Sequence, residues 1–337
     1  MRTLTYLRPR VLEWQDSPDP VLEEDRDALV RPLAATVCDL DQFVIRGEAP
    51  FQGPFAIGHE CLAEVVDLGD AVSRLKPGDR VIVPWHIACG ECGRCRSGLT
   101  AHCEEVPYGA MFGLPVAGDW GGLFSDLVRV PFADAMLVPV PEGIELGAVA
   151  SAGDNLTLAY ECVASHLRDR PGASVLVLGA GSVGLYAVQL AAALGAARLV
   201  YVDRDGARRE FAGSLGAEAI DEPPSHNAGA FDLAVDAAMN EHWLHRSLKL
   251  LEPEGVCECP SIYLKDVALP AFQMGIRGVR FHTGRGNALP NISPVLELVV
   301  AGRIQPERVV SQSLQWETAP EALADPSLKP VFIRDIG

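Results

Sequence analysis

The run Cys89-Gly-Glu-Cys92-Gly-Arg-Cys95, followed by Cys103, holds four of the chain's nine cysteines, with two, two and seven residues between successive thiols. Thiolates are soft ligands, and such spacings let a glycine-containing loop wrap one ion tetrahedrally without straining the backbone. Four sulfurs leave no open coordination position. Zinc at Cys89, Cys92, Cys95 and Cys103 would therefore be structural, stabilising a lobe with too few apolar residues to fold by burial alone. Free or oxidised thiols are the blander reading, disfavoured because dense cysteine clusters in a reducing compartment are usually metal sites. An iron–sulfur cluster is the sharper competitor, and the lack of further cysteines close in sequence favours zinc.

A second stretch points to a nucleotide. Residues 174–178 read SVLVL, a short apolar run suited to a strand buried on both faces of a parallel sheet. Gly179-Ala-Gly181-Ser182-Val183-Gly184 follows directly, then the helical composition LYAVQLAAALGA with Gly195 as its cap, then a second strand, RLVYVD, ending on Asp203. In this context Gly179 allows the tight turn, Gly181 lets the backbone approach a pyrophosphate, and Gly184 lets helix pack on strand. The phosphates would sit on the free N–H groups of the helix N-terminus, where Ser182 and Val183 lie. Asp203 would accept from the adenosine ribose hydroxyls and repel a 2′-phosphate, so NAD(H) is preferred and NADP(H) is not excluded. Arg204, Arg208 and Arg209 could accommodate a phosphate if the acid turned away; the alternative is that they are solvated helix-face charges.

These motifs need a scaffold, and the chain is long enough for two. At 337 residues it exceeds what one core usually supports. FDLAVDAA (231–238) and GVCECPSIY (255–263) read as later strands, with HWLHRSLKLLE as a helix between them, so a doubly wound α/β unit spans 151–280. Residues 1–150 instead carry short Val-containing strands between Pro and Gly turns, such as AEVVDLG, KPGDRVIVP and FSDLVRVP, a mostly antiparallel β domain. A formal charge of −17 argues against nucleic-acid or anionic-membrane binding and favours small-molecule partners. No apolar run is long enough for a signal peptide or a membrane span, which makes the cytoplasm the default.

With these features assembled, the chain resembles the zinc-dependent medium-chain alcohol dehydrogenases along nearly its whole length. The resemblance rests on Cys38-Asp-Leu-Asp41, Gly58-His59-Glu60, PGDRV at 77–81, the four-cysteine lobe, GGLFSDLVRVP at 121–131 and the GAGSVG turn. It implies a GroES-like catalytic domain made of residues 1–150 and a C-terminal return over 281–337, an inserted Rossmann domain, an active site in the cleft between them, and a homo-oligomer, dimer or tetramer. By position, Cys38, His59 and Asp154 match the family's three catalytic-zinc ligands. An aspartate in the third place, with Gln42, Arg46 and Gly47 after the cysteine, resembles the formaldehyde-dehydrogenase-like branch. Thiolate, imidazole and carboxylate would leave a fourth position for water or a carbonyl oxygen. Glu60 could approach the metal as an alternative ligand or hydrogen-bond nearby backbone or a cation; Asp41 fits a role orienting a ligand or an arginine.

One place departs from the family pattern. Two residues after the ligand cysteine, where relatives carry a Ser or Thr that begins a proton relay, this chain has Leu40; Phe43 stands where a relay histidine is common. His86, Tyr108 or a water held by Glu60 could supply the proton instead. Leu40, Phe43 and Trp85 would form an apolar substrate pocket, with core packing as the alternative for each and the better one for Met111. Gln312 stands where a histidine is common and carries no functional reading. The leading expectation is hydride transfer between NAD(H) and an alcohol, aldehyde or ketone. Reduction of an activated C=C or C=N bond is the second, and a catalytically silent NAD-binding protein the third.

Overall fold

Short apolar runs broken by Pro and Gly favour antiparallel pairing over the first part of the chain, and that is how it folds. The computed structural model describes residues 1–225 and 230–335. They form two units, Met1–Thr157 with Asn287–Gly337, and Leu158–Gly286. In chain order the first unit contributes β1 (Arg2–Arg8), β2 (Val11–Asp16), β3 (Ala28–Thr36), β4 (Phe55–Ala56), β5 (Glu60–Leu68), β6 (Arg80–Val83), β7 (Val128–Val130) and β8 (Val138–Pro139). β2, β1 and β4 make a small antiparallel sheet.

The second unit alternates strand and helix: β9 (Ser174–Leu178), β10 (Arg198–Val202), β11 (Glu218–Ile220), β12 (Phe231–Asp236), β13 (Leu251–Cys259) and β14 (Arg280–Thr283). All pair in parallel, in the order β11-β10-β9-β12-β13-β14. Numbered within the unit this is 3-2-1-4-5-6, the doubly wound dinucleotide-binding order, whose direction reverses between β9 and β12. Leu176, Leu178, Val200, Phe231 and Leu244 form its buried interior. Two strands run differently from the sequence reading. β12 stops at Asp236, and β13 starts at Leu251, directly after the helix Glu241–Leu250, and stops before Pro260, which has no N–H for the ladder.

The chain then returns to the first unit with β15 (Gln312–Gln315) and β16 (Pro330–Ile333). The larger sheet there runs β15-β16-β3-β5-β6-β8, with β7 also on β3. Its register determines where chemistry can happen. Thr36 at the end of β3 lies opposite Glu60 at the start of β5 and Val331 at the start of β16, and Cys61 lies opposite Val83 at the end of β6. Four chain segments therefore leave or enter the sheet at one end. Trp316 and Phe332 pack on Phe124, with ring centroids 5.4 and 5.5 Å from it. The first turn of the helix Asn155–Asp169 is tied to the first unit: the Asn155 amide donates to Glu60.

Candidate metal centres and dinucleotide turn

In the cysteine lobe, the ligand atoms of Cys89, Cys92, Cys95 and Cys103 all lie within 4.8 Å of one another. Backbone amides surround the sulfurs: Glu91 and Cys92 donate to Cys89 Sγ at 3.3 Å, Cys95 and Glu104 to Cys92 Sγ at 3.4 Å, and Cys89 to Cys103 Sγ at 3.3 Å. Such donors stabilise thiolates. Burial pushes the Cys95 and Cys103 thiols up, whereas at Cys92 the Glu104 and Cys95 amides outweigh burial and bring the pKa to about 7. The set fits one soft dication, which would hold all four sulfurs deprotonated. Asn287, at the start of the C-terminal return, accepts from the Ala101 amide at 3.1 Å and braces the lobe.

Cys38 caps the helix Asp39–Arg46. Its Sγ accepts from the Asp41 amide at 3.3 Å while its own amide donates to Asp41 Oδ2 at 3.2 Å, a reciprocal capping box. His59 Nε2 lies 3.4 Å from Asp154 Oδ2, and its Nδ1 lies 3.4 Å from Asp41 Oδ1. One ligand atom from each of Cys38, His59 and Asp154 falls within 4.8 Å of the others. Burial, then the Asp41 charge, pushes the Cys38 thiol up to about 12; burial disfavours the His59 imidazolium, but Asp41 and Cys38 raise its pKa well above the usual histidine value. Asp41 Oδ1 and His59 Nδ1 are both buried without a hydrogen bond. A metal on Nε2 would place the ring proton on Nδ1, facing that carboxylate oxygen. The donors present thus fit zinc with an open fourth position.

Two glycines set the backbone in front of two of these candidate ligands. Gly58, before His59, has φ +93°, and a Cβ there would lie 2.4 Å from a Phe124 ring carbon. A Cβ on Gly153, before Asp154, would lie 2.2 Å from the Val83 carbonyl oxygen.

Other expected site residues are placed less centrally. Glu60 is outside the converging set: it forms a buried ion pair with Lys329 and accepts from the Asn155 amide. Trp85 is 7% exposed and packs in the first unit's core, with Leu40 and Phe43 half-buried against the same core. Met111 is buried, in keeping with core packing. His86 is buried with Nε2 2.8 Å from Thr100 Oγ1, while Tyr108 is 73% exposed and stacks on His102. Sequence reasoning missed Lys329. Its one signal was a lysine opening the apolar run PVFI.

In the second unit, Gly181 caps the helix Ser182–Ala193, and its first turn, Ser182 and Val183 included, is buried. A Cβ at Gly179 would lie 2.2 Å from the Tyr201 hydroxyl, and one at Gly184 3.0 Å from Gly179 Cα. Asp203 is 2% exposed and its carboxylate is engaged: Tyr201 Oη donates to Oδ2 at 2.7 Å, Arg208 Nε to Oδ2 at 2.6 Å and Arg208 Nη2 to Oδ1 at 2.9 Å. Although burial opposes it, Arg208 holds this carboxyl below the usual aspartate value. Arg208 and Arg209 are therefore not solvated charges, since Arg209 donates to the Asp203 carbonyl at 2.7 Å. Arg204 pairs with Glu222 and lies over the Trp243 ring.

Fold and donor sets together define a two-domain, metal-dependent oxidoreductase with a dinucleotide-binding sheet. Residues 24–142 match the profile of the alcohol dehydrogenase GroES-like domain, and 155–249 that of the alanine dehydrogenase/PNT C-terminal domain. The solved alcohol dehydrogenase TADH from Thermus sp. ATN1 is 31% identical, with a TM-score of 0.90 over 99% of this chain and all of that one. An uncharacterized zinc-type alcohol dehydrogenase-like protein of Bacillus subtilis, AdhB, is 29% identical over 95% of this chain and 94% of its own length. A glutathione-independent formaldehyde dehydrogenase of Pseudomonas aeruginosa is 32% identical over 70% of this chain and 65% of its own. The chain belongs to the zinc-type alcohol dehydrogenase family and is an oxidoreductase.

Proposed function

We propose that this protein interconverts an alcohol and its aldehyde or ketone by hydride transfer to and from NAD(H), using a zinc ion held by Cys38, His59 and Asp154 and a second, structural zinc held by Cys89, Cys92, Cys95 and Cys103. The observation that carries the reading is the convergence of one thiol, one imidazole and one carboxylate within 4.8 Å, a three-ligand set that leaves a coordination position open. When bound, zinc supplies a Lewis acid for the substrate oxygen and the nicotinamide supplies or accepts the hydride. The chain's own residues do the rest. Asp41 orients His59, and Gly58 and Gly153 fix the backbone ahead of two ligands.

The turn Gly179–Gly184 and the buried helix N-terminus at Ser182 and Val183 support binding of a pyrophosphate there. The ionised Asp203 supports NAD(H) over NADP(H), with Arg204 at the rim. The aspartate ligand favours a substrate such as those of the formaldehyde-dehydrogenase-like relatives. Leu40, Phe43 and Trp85 are the proposed apolar contacts.

We further propose a homo-oligomer: β14 is a sheet edge, and Phe272 and Ile276 on the helix just before it are 80% and 71% exposed. A cytoplasmic setting would keep the lobe thiols reduced. No helix among the described residues is long and apolar enough to cross a membrane.

The test is NADH consumption over a panel of aldehydes and ketones, with loss of activity and of one metal ion per chain in Cys38→Ser and His59→Ala. Deuterium from labelled NADH should appear at the carbinol carbon; label on the carbon β to an intact carbonyl, with an unlabelled solvent proton at the α-carbon, would replace this reading with conjugate reduction.

A further inference from the structure

Each proposed ligand of the open zinc site is chain neighbour to a residue held by one buried ion pair. Lys329 and Glu60 are both 0% exposed and in direct contact. Lys329 Nζ also donates to the Val37 carbonyl at 3.0 Å, the peptide that leads into Cys38. Glu60 follows His59, and its Oε1 accepts at 3.0 Å from the amide of Asn155, which follows Asp154. Three segments far apart in sequence, ending at Cys38, His59 and Asp154, are thus tied to a single lysine–carboxylate pair.

The sheet explains how the lysine arrives there. Thr36 is flanked by Glu60 on one side and Val331 on the other, so the residue before β16 lies near the end of β3. Thr36 Oγ1 donates to the Pro330 carbonyl at 2.7 Å. The Lys329 backbone is anchored as well: its amide donates to Ser311 Oγ, and its carbonyl accepts from the Ser311 amide, both at 2.9 Å.

We infer that Lys329 is a positioning residue for the metal: paired with Glu60, it fixes the Val37–Cys38 peptide and the Glu60–Asn155 link, and so the spacing of Cys38, His59 and Asp154. A buried ion pair gains little net stability over apolar packing of the same volume. Its effect lies in where its hydrogen-bonded partners are held, as with the outer partners that orient ligands in metal sites generally. The pairing also neutralises Glu60 locally and holds it outside the donor set, leaving a thiolate and a carboxylate to balance a dication. The inference rests on the ligand assignment proposed above.

Metal release tests it. Lys329→Met alone leaves Glu60 buried and unpaired and can unfold the domain, so the informative variant is E60Q/K329M, which removes both charges yet keeps an acceptor for the Asn155 amide. The protein is loaded with zinc or cobalt, its folding checked by circular dichroism, and metal transfer to a chelator timed; Cys38→Ser isolates the four-cysteine signal. We expect release from the Cys38 site to accelerate about 10- to 100-fold, with altered visible cobalt bands for that site and unchanged release from the lobe. A folded double variant with wild-type release and wild-type bands overturns the inference. If Cys38→Ser retains the wild-type metal content, it is the ligand assignment that fails, and the positioning role falls with it.

Discussion

Replacing Gly153 by alanine tests how tightly the structure controls Asp154. The added Cβ would sit 2.2 Å from the Val83 carbonyl oxygen, a distance that must open past 3.0 Å, a displacement of about 0.8 Å. Neither side yields easily. Val83 ends β6 in the ladder with β5, and the Gly153 carbonyl accepts from the Trp85 amide at 3.1 Å. Overpacking of this kind costs about 1–3 kcal/mol. The larger effect falls on metal binding, because ligand distances in metal sites hold to within about 0.2 Å. The 3-10 turn Ala150–Gly153 must carry the shift into Asp154 directly. We expect Gly153→Ala to keep the four-cysteine metal and to bind the other at least about tenfold more weakly, read as metal per chain after equilibration with graded chelator. Gly213→Ala is the control: it lies in the helix Gly206–Ser214 with nothing within 4 Å of where the new methyl would sit, and should stabilise by about 0.5–1 kcal/mol. Unchanged affinity at both metals in Gly153→Ala would refute the argument that the Val83 contact positions Asp154.

Other perturbations separate the remaining parts. Cys95→Ala should lose one metal ion per chain and lower the melting temperature while the Cys38-site ion stays bound, measured by elemental analysis and calorimetry. Asp203→Ser should release Arg208 from its carboxylate and raise the NADP/NAD ratio of kcat/KM by about tenfold or more, since each tenfold is only about 1.4 kcal/mol; an unchanged ratio would remove Asp203 from cofactor selection. Glu258 accepts from His166 Nε2 at 2.8 Å and His282 Nδ1 at 2.5 Å, and against the opposing effect of burial these histidines hold its pKa below the ordinary 4.5. A depressed carboxyl pKa stabilises the fold above the ordinary value, and that contribution is lost as pH falls through the lower, folded value. Thermal melts below pH 4.5 should therefore fall more steeply for the wild type than for Glu258→Gln.

Local signals carry the sequence reading well wherever the partners are close in the chain. The cysteine lobe needs only residues 89–103, and the turn after β9 needs only a strand, three glycines and a helix. The open site is different. Cys38 and His59 are brought together by sheet register and Asp154 by the 3-10 turn held on the segment after β6, and nothing in their own neighbourhoods states that Thr36 pairs with Glu60; resemblance to a family supplies the grouping. Lys329 escapes because its partners lie far back in the chain, on segments that meet only once β16 has docked on β3. Asp203 reads as an acceptor waiting for a ribose, since a sequence does not show that Arg208, in the first turn of the next helix, already donates to both carboxylate oxygens.

The return of β16 to β3 also sets an order of events during synthesis. Residues 34–36 pair with 331–333, so this edge of β3 stays open while residues 37–330 are being made. The cysteine lobe has all its ligands within a short stretch and can capture its ion soon after emerging from the ribosome. Lys329 comes nearly three hundred residues after the peptide it holds. The open site can reach its final geometry only after translation has passed that residue, so a metal held there would be acquired later than one in the lobe, and the exposed β3 edge before that moment is where a nascent chain most needs protection.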